Sequence, residues 1–131
     1  MSAGPVGTPA PGRRDVLIVE DHFLSADALR LMFEVSGYGV RIALTAEEAV
    51  VACATQRPDL MLLDLTLPDG TGLDVLARTN AAGTTPRVVA ALTGHDSDAV
   101  VQSCLEAGCV GVVLKPIAPR ELVRRAGEWL A

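Results

Sequence analysis

Three carboxylates and one lysine stand where the apolar runs of this chain stop. The run Asp15-Val16-Leu17-Ile18-Val19 ends in Glu20-Asp21, Leu60-Met61-Leu62-Leu63 ends in Asp64, and Val110-Gly111-Val112-Val113-Leu114 ends in Lys115-Pro116. Brought into one cleft, Glu20, Asp21 and Asp64 would crowd like charges, and a bound cation would relieve them. Mg²⁺ suits such a set, because it prefers oxygen ligands and keeps several waters. Lys115 is the counter-charge, either for a phosphoryl group or for Asp64 when the site is empty, and Pro116 restricts its backbone. Thr93, in Ala91-Leu92-Thr93-Gly94, ends a fourth apolar run. Its hydroxyl can donate to a phosphoryl oxygen, and Gly94 leaves room for a ligand beside the backbone. Taken singly, each of these has a plain explanation as a solvated surface charge or a turn cap. Their common placement at run ends favours one site for a divalent cation and a phosphoryl group.

The elements that must position them read as five strand–helix units. Short apolar runs alternating with helix-like stretches predict buried parallel strands over 15–19, 39–43, 59–63, 87–92 and 111–114. Helix one shows an apolar stripe of Leu24, Ala28, Leu31, Met32 and Val35 and stops at Ser36-Gly37. Thr45 and Glu48 form a capping box that opens a second helix, with Ala46, Ala49, Val50 and Cys53 inward. Leu67-Pro68-Asp69-Gly70 is a turn by composition. A third helix carries Leu73, Leu76 and Ala77. A fourth, over 97–107, carries Val100, Val101, Cys104 and Leu105. Pro119 suits the first turn of a fifth, which shows Leu122, Val123, Ala126, Trp129 and Leu130. Such alternation predicts an α/β domain, a doubly wound parallel sheet with helices on both faces. Ligands then bind at the carboxyl edge of the strands.

Composition narrows the function. The 131 residues fit one domain. Residues 1–14, rich in proline and glycine, predict a disordered tail ahead of a domain over 15–131. Net charge is −5 with no basic run, which argues against direct nucleic-acid or anionic-membrane binding. No stretch reaches the ~18 apolar residues of a membrane span, and residues 1–14 lack the charged head and apolar centre expected of a signal peptide. Cys53, Cys104 and Cys109 lack metal-type spacing and read as free packing thiols of a reducing, cytoplasmic compartment. His22 reads as the start of helix one rather than a ligand, and Trp129 as helix packing.

The motifs together resemble the receiver domain of two-component response regulators. The resemblance runs from Asp15 to the C-terminus. It rests on Glu20-Asp21, on the stretch from Leu62 through Asp64 and Pro68 to Gly72, on Leu92-Thr93-Gly94 and on Leu114-Lys115-Pro116. It implies a flavodoxin-like sheet of order 2-1-3-4-5. It also implies that Asp64 is the phosphoacceptor, taking a phosphoryl group from a histidine kinase or a histidine phosphotransfer protein. Mg²⁺ would be ligated by Asp21, Asp64 and the backbone carbonyl of Thr66, with Glu20 acting through water, while Thr93 and Lys115 hold the phosphoryl oxygens. The switch region would comprise Thr93, Gly94, His95 and Val112, with His95 placed to tune water access. An unknown output protein would read the switch, and a phosphorylation-dependent homodimer is a further expectation. Two positions depart from the family pattern: Val112 stands where an aromatic rotamer switch is common, and Thr71 where an aspartate is common. The chain is expected to act as a stand-alone receiver, or as one cut from a hybrid kinase or longer regulator. Two rivals remain. A haloacid-dehalogenase-like phosphatase would want a second Asp at position 66, which is Thr. A flavin-binding flavodoxin would need more aromatics.

Overall fold

The computed structural model describes residues 12–94 and 97–131. Most of the expected tail, residues 1–11, and His95 lie outside them. Five strands build the sheet: β1 (Asp15–Val19), β2 (Gly39–Ala43), β3 (Leu60–Asp64), β6 (Val88–Thr93) and β7 (Gly111–Leu114). A two-residue hairpin, β4 (Thr66–Leu67) with β5 (Gly70–Thr71), interrupts the path after β3. The helices are α1 (Phe23–Val35), α2 (Ala46–Thr55), α3 (Gly72–Ala82), α4 (Asp98–Glu106) and α5 (Pro119–Trp129). Strand order is β2-β1-β3-β6-β7, all parallel, which is the expected 2-1-3-4-5 order with β6 and β7 as fourth and fifth strands. No described helix is long and apolar enough to cross a membrane.

Between their polar end residues the central strands are apolar, because both faces are covered. Alternate residues split between two cores. Leu17, Val19, Met61 and Leu63 meet α2, α3 and α4 through Ala49, Cys53, Leu76 and Cys104. Val16, Ile18, Leu60 and Leu62 meet α1 and α5 through Ala26, Phe33, Leu122 and Ala126. The composition therefore yields a Val/Leu/Ala core in which Phe33, edge-on to Tyr38 at 5.4 Å, is the main aromatic contribution.

Helix α1 corrects one expectation. Its buried residues are Ala26, Leu29 and Phe33, not the stripe Leu24, Ala28, Leu31 and Val35. The helix carries two apolar stripes side by side, and the sheet takes the one containing Phe33. Leu24, Leu31 and Val35 remain 72%, 52% and 84% exposed. Smaller shifts occur elsewhere. Val75 and Thr79 face inward on α3 while Ala77 is exposed, and Leu105 on α4 is 46% exposed. Strands β3 and β6 each lie one residue later than expected, which brings Asp64 and Thr93 into the ladder.

One buried polar cluster stands outside the site. Arg41 and Asp15 pair at 1% and 2% exposure. The Arg41 guanidinium also donates to the carbonyls of Ala52 (2.8 Å) and Gln56 (2.7 Å), binding the last turn of α2 to β1 and β2. A buried charge needs such partners on every side.

Candidate functional site

The site forms where the chain reverses its winding. From β1 the path crosses to β2 on one side, whereas β3 lies on the other, so the carboxyl ends of β1 and β3 open a crevice between their loops. Glu20 follows β1 and is fixed by its own amide, which donates to the Ala43 carbonyl of β2 at 3.0 Å. Asp64 ends β3 in register with Leu92 of β6. Thr93 ends β6, and the Lys115 amide donates to its carbonyl at 2.7 Å. The Lys115–Pro116 peptide is cis.

The strand ends bring the expected groups together. Glu20 and Asp64 are both 4% exposed, and Asp21 is exposed. One carboxylate oxygen from each of Glu20, Asp21 and Asp64 can be chosen so that all three lie within 4.8 Å of one another. Lys115 Nζ donates to Glu20 Oε2 at 2.9 Å and to Asp64 Oδ2 at 3.0 Å. The other oxygens are also occupied: Asp64 Oδ1 accepts from the Thr66 amide at 3.0 Å, and Glu20 Oε1 from the His22 amide at 3.1 Å. Three carboxylates thus face one ammonium. Burial pushes the Glu20 carboxyl above its ordinary range; the Asp64 charge adds to this, while Lys115 and the His22 amide oppose it. Burial pulls the Lys115 ammonium down, but its bonds to Glu20 and Asp64 outweigh that and leave it raised. This set of hard oxygens with surplus negative charge fits Mg²⁺, and the exposed side at Asp21 leaves room for its waters.

The remaining expected residues surround this cluster. Thr66 has an exposed side chain and pairs with Thr71 in the hairpin. Gly94 is exposed, and among the described residues nothing beyond its chain neighbours lies within 4 Å of where a Cβ would stand. Val112 is half-buried, in register with Ala91, and packs on the α2–α4 side of the sheet. His22 caps α1, its Nδ1 accepting from the Ser25 amide at 3.3 Å. Thr71 caps α3 in a capping box with Asp74, so the departure from aspartate there leaves a competent helix start. An open cleft of about 500 Å³ adjoins Glu20 and Lys115, walled by Ala28, Leu29, Pro116 and Ile117.

Two residues escaped the sequence reading. Gly72 begins α3 against the backbone of Asp64, where a Cβ would lie 2.7 Å from the Asp64 carbonyl oxygen. Asp69 leaves the hairpin to cap α2: its Oδ1 accepts from the Ala46 amide at 2.7 Å and its Oδ2 from the Glu47 amide at 3.1 Å. In the sequence Gly72 is marked only as the end of the stretch that carries the family resemblance, with no sign of its contact with Asp64. The target of Asp69 lies more than twenty residues upstream, and no local pattern marks it. The capping box at Thr45 also differs in detail. Thr45 accepts from the Glu48 amide, but Glu48 reaches past it to the amide of Leu44 at 3.0 Å.

Comparison with known proteins bears on the fold that carries these residues. The family model of the response regulator receiver domain matches residues 16–126. The transcriptional regulatory protein KdpE of Mycobacterium tuberculosis is 37% identical over 110 residues, covering 84% of this chain and 48% of that protein. The DNA-binding response regulator MtrA of the same organism is 34% identical over 113 residues, covering 86% and 49%. The chain therefore spans about half the length of these relatives. Among solved structures, a CheY-like receiver domain protein of Methanospirillum hungatei superposes with TM-score 0.82 at 29% identity, covering 91% of this chain and 94% of that one. The chemotaxis protein CheY4 of Vibrio cholerae shares the fold, with TM-score 0.83 at 23% identity over 91% of this chain and all of its own.

Proposed function

Since the chain belongs to the response regulator receiver domain family, a family of signalling modules, we propose that it is a switch thrown by phosphorylation of Asp64. The observation that carries this reading is the ammonium of Lys115 shared between Glu20 and Asp64 beside Asp21. Asp64 Oδ2 attacks the phosphorus of a phosphohistidine on a histidine kinase or phosphotransfer protein. An O–P bond forms to Asp64, and the N–P bond to the donor imidazole breaks. Lys115 leaves Asp64 Oδ2 for a phosphoryl oxygen, and the hydroxyl of Thr93 donates to another. The Thr66 amide keeps Asp64 Oδ1 in place throughout. Glu20, Asp21, Asp64 and the Thr66 carbonyl would hold Mg²⁺, which when bound offsets the negative charge of the phosphoryl oxygens. Phosphoryl transfer asks mainly for positioning and charge neutralisation, and Asp64 adds a carboxylate nucleophile.

On this reading the donor docks on α1. The exposed stripe of α1 recurs at Leu24, Ala28, Leu31 and Val35, a 4-3-4 spacing that suits packing against another helix. Its Ala28 also lines the cleft that opens on Lys115. Output then follows from a partner that binds the free and phosphorylated states with different affinity. Valine at position 112 has a stiff side chain, so the signal leaves through the Thr93–Gly94 loop and the start of α4 rather than through a swinging ring. The phosphatase alternative is not favoured, because position 66 carries no carboxylate. Incubation with acetyl phosphate separates the two: stoichiometric labelling that needs Mg²⁺ and vanishes in Asp64→Asn supports the switch, and many turnovers per protein would overturn it.

A further inference from the structure

Helix α2 begins with its first three amides, those of Ala46, Glu47 and Glu48, satisfied by side chains, and its first helical bond runs from Ala49. The Thr45 hydroxyl takes the Glu48 amide at 3.0 Å, and the Thr45 carbonyl takes that of Ala49 at 3.1 Å. The first two amides, of Ala46 and Glu47, are taken by the two carboxylate oxygens of Asp69. Free amides at a helix start carry partial positive charge, and a carboxylate there is favoured both as acceptor and as anion. These bonds hold the Asp69 carboxyl below its ordinary range, with the Ala46 amide the largest cause. Asp69 belongs to the loop that follows Asp64. In the same loop Thr66 pairs with Thr71 and Leu67 with Gly70, so the hairpin carries any displacement of Asp69 back to Thr66.

The far end of α2 cannot give way. Its last-turn carbonyls are gripped by the buried Arg41, which is itself fixed to Asp15 in β1. Its face is locked by Ala46, Ala49, Ala52 and Cys53, all buried. Of the two elements joined by Asp69, the helix is therefore the fixed one and the loop the one that is held. We propose that Asp69 is a positioning residue for the cation site: by clamping the hairpin to the start of α2 it sets where the Thr66 carbonyl stands relative to Asp64 and Asp21. This rests on the reading of Glu20, Asp21, Asp64 and Thr66 as the Mg²⁺ ligands. Residues that orient ligands without touching the metal typically set its affinity by about 10–100-fold.

The test titrates Mg²⁺ calorimetrically into metal-free protein and follows amide hydrogen exchange in the same metal-free state. Asp69→Ala should weaken Mg²⁺ binding about tenfold and speed exchange at the Leu67 and Gly70 amides. Asp69→Asn, whose amide oxygen can still accept from one N–H, should recover most of the affinity. Thr45→Ala removes a different cap from the same helix start. It should lower thermal stability while leaving Mg²⁺ affinity as in the wild type. A general loosening of α2 would instead weaken Mg²⁺ binding in Thr45→Ala as much as in Asp69→Ala, and that result overturns the proposal. So does an Asp69→Ala affinity within about twofold of wild type. If the wild-type protein takes up no Mg²⁺ at all, the underlying reading of the site fails, and this inference fails with it. Binding retained by Asp69→Ala refutes the positioning role alone.

Discussion

Replacing Gly72 with alanine sets two opposite expectations against each other. On propensity alone, Gly→Ala at a helical position stabilises by up to about 1 kcal/mol. The structure argues the reverse. A Cβ at Gly72 would stand 2.7 Å from the Asp64 carbonyl oxygen and 3.0 Å from both Leu63 Cγ and Leu65 Cδ2. Ordinary contact begins at 3.4 Å, so the carbonyl must yield 3.4 − 2.7 = 0.7 Å and the leucines 0.4 Å. The Leu65 Cδ2 tip can turn aside, but Leu63 Cγ is the branch carbon of a fully buried side chain. The carbonyl cannot move freely either, because β3 is paired on both sides and Leu65 N donates to Leu92 O at 3.0 Å. The alternative is to lift α3, which breaks the 3.2 Å bond from Gly72 N to Leu65 O. Overpacking of this kind costs about 1–3 kcal/mol, which outweighs the propensity gain. In a domain of this size about 1 kcal/mol corresponds to roughly 4 °C in Tm. The expected result is a Tm lower by several degrees in metal-free buffer. Acetyl phosphate labelling of Asp64 should also slow by about tenfold or more, since displacing a reacting group by ~1 Å can cost about a hundredfold. A Tm that rises, with labelling unchanged, would refute the reasoning.

Three further outcomes follow from the same structure. Arg41→Met should destabilise by about 3–5 kcal/mol, a large part of a typical total of about 5–15 kcal/mol, because it strands the buried Asp15 carboxylate; a urea midpoint near wild type would contradict this. Asp21→Ala should weaken Mg²⁺ binding yet change metal-free stability by no more than about 0.5 kcal/mol, as suits an exposed position; a clear loss of Tm without metal would count against it. Burial pushes the thiols of Cys53 and Cys109 up to about 11 and about 12. A raised thiol favours folding at pH values below its ordinary 9.0, and that contribution is lost as the pH climbs through the raised value. Stability should therefore decline above pH 9, and thiol labelling at neutral pH should follow global unfolding; rapid labelling of both in the folded protein would oppose the assignment.

The strand-end chemistry was legible because a sheet covered on both faces forces uninterrupted apolar runs, so the charges that end them mark one edge. Glu20, Asp64 and Lys115 were placed together by that logic. What it missed is that Lys115 serves Glu20 as well as Asp64. The buried face of α1 could not be read, because its two apolar stripes both satisfy a helical period and only the Phe33 stripe meets the sheet. Arg41 gave no sign of burial, since its partners come from β1 and the end of α2 and meet only in the fold. Asp69 reads as a turn residue from its neighbours, and its hold on α2 is a long-range contact with no local signature.

The most direct test of the site is to locate the phosphoryl group chemically. The protein is incubated with acetyl phosphate and Mg²⁺, reduced with borohydride so that an aspartyl phosphate becomes homoserine, and digested for peptide sequencing by mass spectrometry. Homoserine at position 64 and at no other carboxylate, absent when Mg²⁺ is chelated, is the expected result. Homoserine at Asp21 or Glu20 instead, or at none of the three, would contradict the assignment of Asp64 as the phosphoacceptor.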